Sequence, residues 1–232
     1  MFDLFKNFGS SDSISFFKLY NNLRAWQDAG RFPAEYELPE AISFTEDFWK
    51  RVIKLYKYTR ADGFERAIAV FWADGDLILS SDIMGNRKAV TPKSNVSVLY
   101  SASRHKGYLR KEVFLNDKLY SRKDVYEKKV PRQIEVKYLF NMHTHPPHEG
   151  ADGQNFYTYF SAQDIKSLLA SKAVITGMIG DKLNILFRTS STPSSADQIT
   201  DQQINMEFLV RELHIAVYQG DFKSKVKRVT IN

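Results

Sequence analysis

The chain has five histidines, and three of them, His143, His145 and His148, fall within six positions. His143 and His145 end an apolar segment, and side chains two positions apart share one face of a strand. Two imidazoles on one face can hold one metal ion, and imidazole suits zinc. A catalytic zinc takes three protein ligands and leaves a fourth position for water. We therefore expect a zinc site at the end of this strand.

The third ligand should be a carboxylate, because the chain contains no cysteine. The candidate is Asp164 in the sequence Ser161-Ala162-Gln163-Asp164, which follows His145 after fifteen intervening residues (146–160). Asp152, within those residues, is the alternative third ligand. Ser-x-x-Asp ahead of an apolar helix is also a helix-capping pattern. We expect His148 to be a loop residue, because a fourth protein ligand would close the position that water needs.

The composition describes a folded chain of 232 residues, 43% hydrophobic and 14% aromatic. The absence of cysteine excludes disulfides, a thiol nucleophile and a thiolate metal site. The longest apolar run, Ala67 to Ala73, is too short to span a bilayer. We expect a soluble, cytoplasmic protein with no membrane association.

The net charge of +6 is concentrated in one segment, since residues 101–137 contain eleven Lys/Arg and five Asp/Glu. Such a segment can attract an acidic protein partner or nucleic acid, although a charged run is more often a solvated face. No recognisable nucleic-acid-binding motif accompanies it. We treat residues 101–133 as hairpins and loops inserted ahead of the histidine strand.

Helical spacing of apolar residues predicts two helices in the first part of the chain. The first is capped by residues 11–13 and stops at Gly30, and the second begins at Thr45 and stops at residues 61–63. Between them, residues 31–43 are expected to be a connection. The apolar positions of the first helix are Phe16, Leu19, Tyr20, Leu23 and Trp26, and those of the second are Trp49, Val52, Ile53 and Tyr56.

Shorter apolar runs predict the strands. We expect a hairpin over residues 67–79, a weak strand at 95–100, the histidine strand at 134–143 ended by Pro146, and a hairpin of residues 173–179 and 183–187. Ser161 should cap a helix between the histidine strand and the second hairpin. Residues 189–199 are predicted to be a linker. A last helix after Thr200 should present Met206, Leu209, Val210, Leu213 and Val217 on one side.

These residues together resemble the JAB/MPN metallopeptidases, which carry the JAMM motif. That motif has a Glu before an early strand, His-x-His-Pro at the end of a later strand, and Ser-x-x-Asp at a helix start. Here the matching residues are Glu65, His143-Thr144-His145-Pro146 and Ser161-Ala162-Gln163-Asp164. The chain departs from the motif in its longer segment between His145 and Ser161 and in having Ile68 where a glycine is common. The resemblance covers roughly residues 44–190.

The resemblance implies that zinc is held by His143, His145 and Asp164, that Glu65 is the general base and that Ser161 is an oxyanion donor. It also implies a cytidine-deaminase-like α/β (α+β) fold with a mixed sheet flanked by helices. The implied activity is hydrolysis of a peptide or isopeptide bond, often next to a ubiquitin-like protein. Residues 1–43 would be an N-terminal helical extension, 44–190 the metallopeptidase domain and 191–232 a linker and C-terminal helix.

The positions of the glutamates in the sequence also favour Glu65 as the base. Glu135 lies on the histidine strand eight residues before His143, which puts it about 26 Å away at about 3.3 Å per residue. Glu112 and Glu127 lie in the irregular basic segment, and Glu149 lies in a loop. Glu65 begins a strand that can pair beside the histidine strand.

Two other functions remain open from the sequence. One is a non-catalytic interaction module of the same fold, although such members typically lack the ligands. The other is a basic nucleic-acid-binding protein with a structural metal, which would bind through residues 101–137 and show strong salt dependence.

Overall fold

The structure is a computed structural model that describes residues 13–73, 76–79, 82–90, 113–115, 118–120, 136–146 and 159–231. It is an α+β protein with a mixed sheet, as the sequence predicts. The described residues belong to two compact units. One unit is Thr45–Tyr159 with Ile175–Asp181, and the other is Met1–Phe44 with Phe160–Val174 and Lys182–Asn232.

The histidine strand β8 (Val136–Thr144) lies at the centre of the strands in the first unit. It pairs antiparallel with β3 (Arg66–Ala73) and parallel with β9 (Ile175–Ile179). On its other side β3 pairs antiparallel with β4 (Asp76–Leu79) and with β5 (Ile83–Met84). The predicted hairpin over residues 67–79 is confirmed. The strand ends at Thr144, two residues before Pro146, because proline has no N–H to offer a neighbour.

The strands of the second unit form a continuous series. In order they are β10 (Leu183–Arg188), β11 (Ile215–Gly220), β12 (Val226–Arg228) and β2 (Ala41–Ser43), each antiparallel to the next. β1 (Ser13–Ser15) pairs parallel with β2. Residues 41–43, which form β2, were expected to belong to an irregular connection, and that prediction is wrong for them.

The first two helices form where the apolar spacing predicts them. α1 spans Phe16–Asp28 and buries its five predicted apolar residues, but its cap is Ser15, because residues 13–15 are extended. α2 spans Glu46–Asp62 and is capped by Thr45, which accepts a hydrogen bond from Phe48 N–H at 3.3 Å. It ends at Gly63, whose φ of 73° lies in the left-handed region that glycine adopts without strain.

Helix α3 (Ala162–Ala170) follows Ser161 and is held at its far end by a buried arginine. Arg188 is 4% exposed, and its Nη1 donates to the carbonyl oxygens of Leu168, Leu169 and Ser171 at 3.3, 3.0 and 2.6 Å. Its guanidinium carbon also lies 4.0 Å from the centre of the Phe32 ring. The positive charge therefore satisfies carbonyl groups that a helix C-terminus leaves without intrahelical donors.

The predicted C-terminal helix is wrong beyond Leu213. The chain makes a short turn at Asp201–Gln203 and a π-helical turn at Phe208–Glu212, and then enters strand β11, which contains Val217. His214, with a φ of 50°, separates the helical turn from the strand. Four consecutive side chains of β11, residues 215–218, are buried, which a one-sided helix cannot achieve. The region is therefore a helical turn followed by two strands of the sheet.

The inserted segments lie largely outside the described residues. In the basic segment the described part is a strand pair, β6 (Val113–Leu115) with β7 (Lys118–Tyr120), as expected of a hairpin. The predicted strand at 95–100 and residues 147–158 fall outside the described ranges. Among the described residues, no helix combines the length and the apolar character needed to cross a bilayer.

Candidate metal centre

His143 and His145 lie at the end of β8 and present their rings to each other. Each side chain is only 7% exposed, and the two Nε2 atoms are 2.9 Å apart. Two nitrogens bound tetrahedrally to one zinc at 2.0–2.1 Å would be separated by about 3.3 Å. The observed separation is that of a hydrogen bond between the two rings and is somewhat shorter than that value. The predicted convergence of the two imidazoles is confirmed.

The tautomer of His145 follows from a backbone contact. Its Nδ1 lies 3.0 Å from the carbonyl oxygen of Tyr159, and a carbonyl oxygen only accepts, so Nδ1 carries the proton. In the neutral ring, Nε2 then presents its lone pair on the side of His143. Metal-binding histidines commonly donate their other ring N–H in this way, which fixes the ring and raises its basicity.

Asp164 lies in the first turn of α3 and is oriented by Ser161. The hydroxyl of Ser161 accepts from Asp164 N–H at 3.2 Å, while Asp164 Oδ2 accepts from the Ser161 N–H and hydroxyl, each at 2.8 Å. This reciprocal arrangement is a capping box. The capping interpretation of the Ser-x-x-Asp sequence is confirmed, and the same hydrogen bonds set the direction of the carboxylate.

The three expected ligands come together. One ligand atom from each of His143, His145 and Asp164 lies within 4.8 Å of the others, and Asp164 is half-buried while the histidines are buried. Two imidazoles and a carboxylate are donors that zinc accepts, and three ligands leave a coordination position for water. Within the described residues this group could bind a metal ion. Asp152, the alternative third ligand, and His148 both lie outside the described residues.

Glu65 is buried at the start of β3, with 6% of its surface exposed. Its backbone is held on both sides, since its N–H donates to Asn86 O and its carbonyl accepts from Gly85 N–H, both at 2.8 Å. The last pair of the antiparallel register is Ala67 with His143, and extending that register by two residues beyond the paired positions would bring Glu65 opposite His145. Opposed residues of such a pair project from the same face of the sheet.

The other glutamates considered as a base, Glu112, Glu127, Glu135 and Glu149, lie outside the described residues. Glu65 is also not a member of the three-ligand group described above. The structure thus shows a buried glutamate directly ahead of the strand that pairs with the histidine strand.

Thr144, between the two histidines, has a role that the sequence reasoning missed. It is fully buried, its hydroxyl lies 2.6 Å from Thr59 Oγ1 of α2, and it accepts from Arg66 N–H at 2.8 Å. These contacts join the end of β8 to the start of β3 on the face opposite the histidines. Strand alternation could have provided the signal, since a hydroxyl between two same-face ligands must point toward the other layer.

An ion pair between Asp62 of α2 and Arg66 of β3 also stabilises the junction of β3 and β8. The Arg66 guanidinium donates to the Asp62 carboxylate and, through Nη1, to the Phe64 carbonyl at 3.0 Å. The hydrogen bond from Arg66 lowers the pKa of Asp62 to about 2. The segment that leads into Glu65 is thereby tied to the C-terminus of α2.

The chain has no significant match among protein-family models, curated proteins or solved structures.

Proposed function

We propose that the chain is a zinc-dependent hydrolase of the JAMM type that cleaves a peptide or isopeptide bond. The observation that carries the proposal is the group of His143, His145 and Asp164, with ligand atoms within 4.8 Å of one another. Glu65, which would lie opposite His145 if the strand register continued past Ala67, is the proposed general base. A metal group without a nearby carboxylate would support a structural site equally well, so Glu65 favours catalysis over that alternative.

A zinc ion held by these ligands would lower the pKa of a bound water to about 7 and polarise the scissile carbonyl. Glu65 would accept the proton of the attacking water and later deliver it to the leaving amine. Its burial keeps the carboxylate away from bulk water, and its clamped backbone holds it at one position. His145 is kept in the tautomer that a ligand requires by its hydrogen bond to Tyr159.

Ser161 is the proposed oxyanion donor, and it also orients Asp164. Because its hydroxyl donates to Asp164 Oδ2, donation to a developing oxyanion requires the hydroxyl to rotate. A single such donor contributes about 3 kcal/mol in other hydrolases. Ser161 therefore has two roles that a substitution would remove together.

The order of elements supports a JAB/MPN fold for this domain. Helix α2 precedes Glu65 and β3, the histidines end β8, Asp164 begins α3, and β9 and β10 follow. The resemblance also supplies the proposed substrate class, a ubiquitin-like conjugate or a peptide tail. An acidic partner that binds the basic segment 101–137 belongs to the same proposal.

The proposal is tested by zinc content and by hydrolysis of a panel of ubiquitin-like conjugates and C-terminal tail fusions. The purified chain should contain about one zinc per molecule, and His143→Ala should lose it. Glu65→Gln should keep the zinc and the fold but lower the hydrolysis rate by a factor of about 10² to 10⁴. Glu46→Gln, at an exposed position of α2, is the matched control.

Three results would count against the proposal in different ways. A chain that binds no zinc at neutral pH has no metal centre of this kind. Zinc binding together with full activity in Glu65→Gln would reject Glu65 as the base. Zinc binding with no hydrolysis of any panel member by the wild type would favour the structural-metal alternative.

A further inference from the structure

The metal-ligand helix α3 receives a second carboxylate at its N-terminus, from a distant part of the chain. Asp201 Oδ1 accepts a hydrogen bond from Ala162 N–H at 2.6 Å, across 39 positions of sequence. Ala162 is the first residue of α3, two positions before Asp164. The motif itself contains no residue for this N–H, because Ser161 bonds the N–H of Asp164 instead.

The backbone around Asp201 is itself fixed. Gln203 Oε1 accepts from Thr200 N–H at 2.9 Å and from the Thr200 hydroxyl at 3.1 Å, which closes a turn around Asp201. Ile204 N–H donates to Asp201 O at 3.1 Å. Ile199, just ahead of the turn, is buried. The carboxylate is thus presented from a hydrogen-bonded turn.

The negative charge of Asp201 is favourable at the N-terminus of α3. The first N–H groups of a helix have no partner within the helix, and the N-terminal end of the helix dipole attracts negative charge. An acceptor at Ala162 N–H therefore restrains the first turn, which carries the Asp164 side chain. A small tilt of this turn would move the Asp164 carboxylate away from the histidines.

We propose that Asp201 is a positioning residue for the metal centre, acting through Ala162 and the first turn of α3 on Asp164. This inference rests on the proposed function, because it requires Asp164 to be a zinc ligand. If Asp201 has this role, the segment after residue 190 contributes to the geometry of the metal centre. Neighbours of metal ligands commonly contribute a factor of 10 to 100 to metal affinity.

The test is the zinc dissociation constant, measured by competition with a chromogenic chelator well below the unfolding temperature. Asp201→Ala should raise it about tenfold, and Asp201→Asn should raise it less than about threefold, since the amide oxygen can accept the same bond. Asp197→Ala, an exposed aspartate four residues earlier, is the control and should leave it unchanged. The unfolding temperature of each metal-free variant is recorded alongside.

A second variant removes the donor instead of the acceptor. Ala162→Pro has no N–H, proline is favoured at the first position of a helix, and Ser161 already has the extended conformation (φ −83°, ψ 163°) that a following proline requires. Ala162→Pro should weaken zinc binding by about the same factor as Asp201→Ala. If Asp201→Ala fails to fold, the zinc affinity of Ala162→Pro tests the positioning role instead, and an unchanged affinity overturns it.

The outcomes separate this inference from the proposed function. If the wild type binds no zinc, both are overturned. If the wild type binds zinc and Asp201→Ala binds it equally well, the positioning role is overturned and the metal centre stands. A lower unfolding temperature with unchanged zinc affinity means that Asp201 only stabilises the fold, which also overturns the inference.

Discussion

His145 donates its Nδ1–H to the carbonyl oxygen of Tyr159, which lies 3.0 Å away and two residues before Ser161. The contact links a proposed ligand to the segment that leads into the next proposed ligand. Because it fixes the ring in one tautomer, the side chain needs no proton rearrangement before it binds a metal. The centre is therefore partly organised before an ion arrives.

We predict that zinc stabilises the protein against unfolding. At a free zinc concentration about 100 times the dissociation constant, the free energy of unfolding should rise by about 2.7 kcal/mol, because the unfolded chain lacks the site. Differential scanning calorimetry with and without zinc measures this. Magnesium, which prefers oxygen ligands, should have little effect. An equal response in His145→Ala would mean that zinc binds elsewhere.

We predict that Thr144→Val destabilises the protein by about 1 to 3 kcal/mol. The substitution keeps the shape of the side chain but removes the acceptor of the buried Arg66 N–H and the hydroxyl next to Thr59. Urea unfolding measures the loss. Thr144→Ser keeps the hydroxyl and should recover most of it. A wild-type midpoint for the valine variant would show that the junction of β3 and β8 does not depend on this hydroxyl.

We predict that Gly177→Ala costs about 1 to 3 kcal/mol through steric overlap with Met142. A Cβ at position 177 would lie 2.6 Å from Met142 Cγ, and Met142 precedes His143 on β8. Thermal unfolding measures the cost. Combining Gly177→Ala with Met142→Ala should cost less than the sum of the two single changes, because alanine has no Cγ atom and so removes the overlap. Additive effects would contradict this explanation.

We predict an acid-dependent contribution from the Asp62–Arg66 pair. The folded-state pKa of Asp62 is about 2, below the ordinary value of 3.8, so its contribution is present above pH 3.8 and is lost as the pH falls through 2. The difference in urea midpoint between the wild type and Asp62→Asn should therefore shrink between pH 4 and pH 2. A difference that stays constant over this range would contradict the assignment.

Local patterns predicted most of the elements that carry the centre. Apolar spacing located α1 and α2, caps located the starts of α2 and α3, and strand alternation put His143 and His145 on one face. These features depend on residues close in sequence, so the sequence alone contains the information.

The contacts between distant residues were not predictable in this way. The roles of Thr144 and Asp201 depend on neighbours that only the folded chain supplies, at separations of 78 and 39 positions. The C-terminal strand was taken for a helix because Leu209, Leu213 and Val217 repeat at helical spacing. The run of buried residues from Ile215 to Tyr218, followed by Gly220, was the signal for a strand.

Helix α3 has only nine residues, fewer than an isolated helix needs to persist in water. Its order therefore depends on its buried apolar face and on contacts with Arg188 at one end and Asp201 at the other, both of which follow it in the chain. During synthesis the two histidines are made before these residues. The hydrogen bond from Ala162 to Asp201 can form only after residue 201 has been made, so the newly made chain completes the first turn of α3, which carries the proposed third ligand, after the histidine strand.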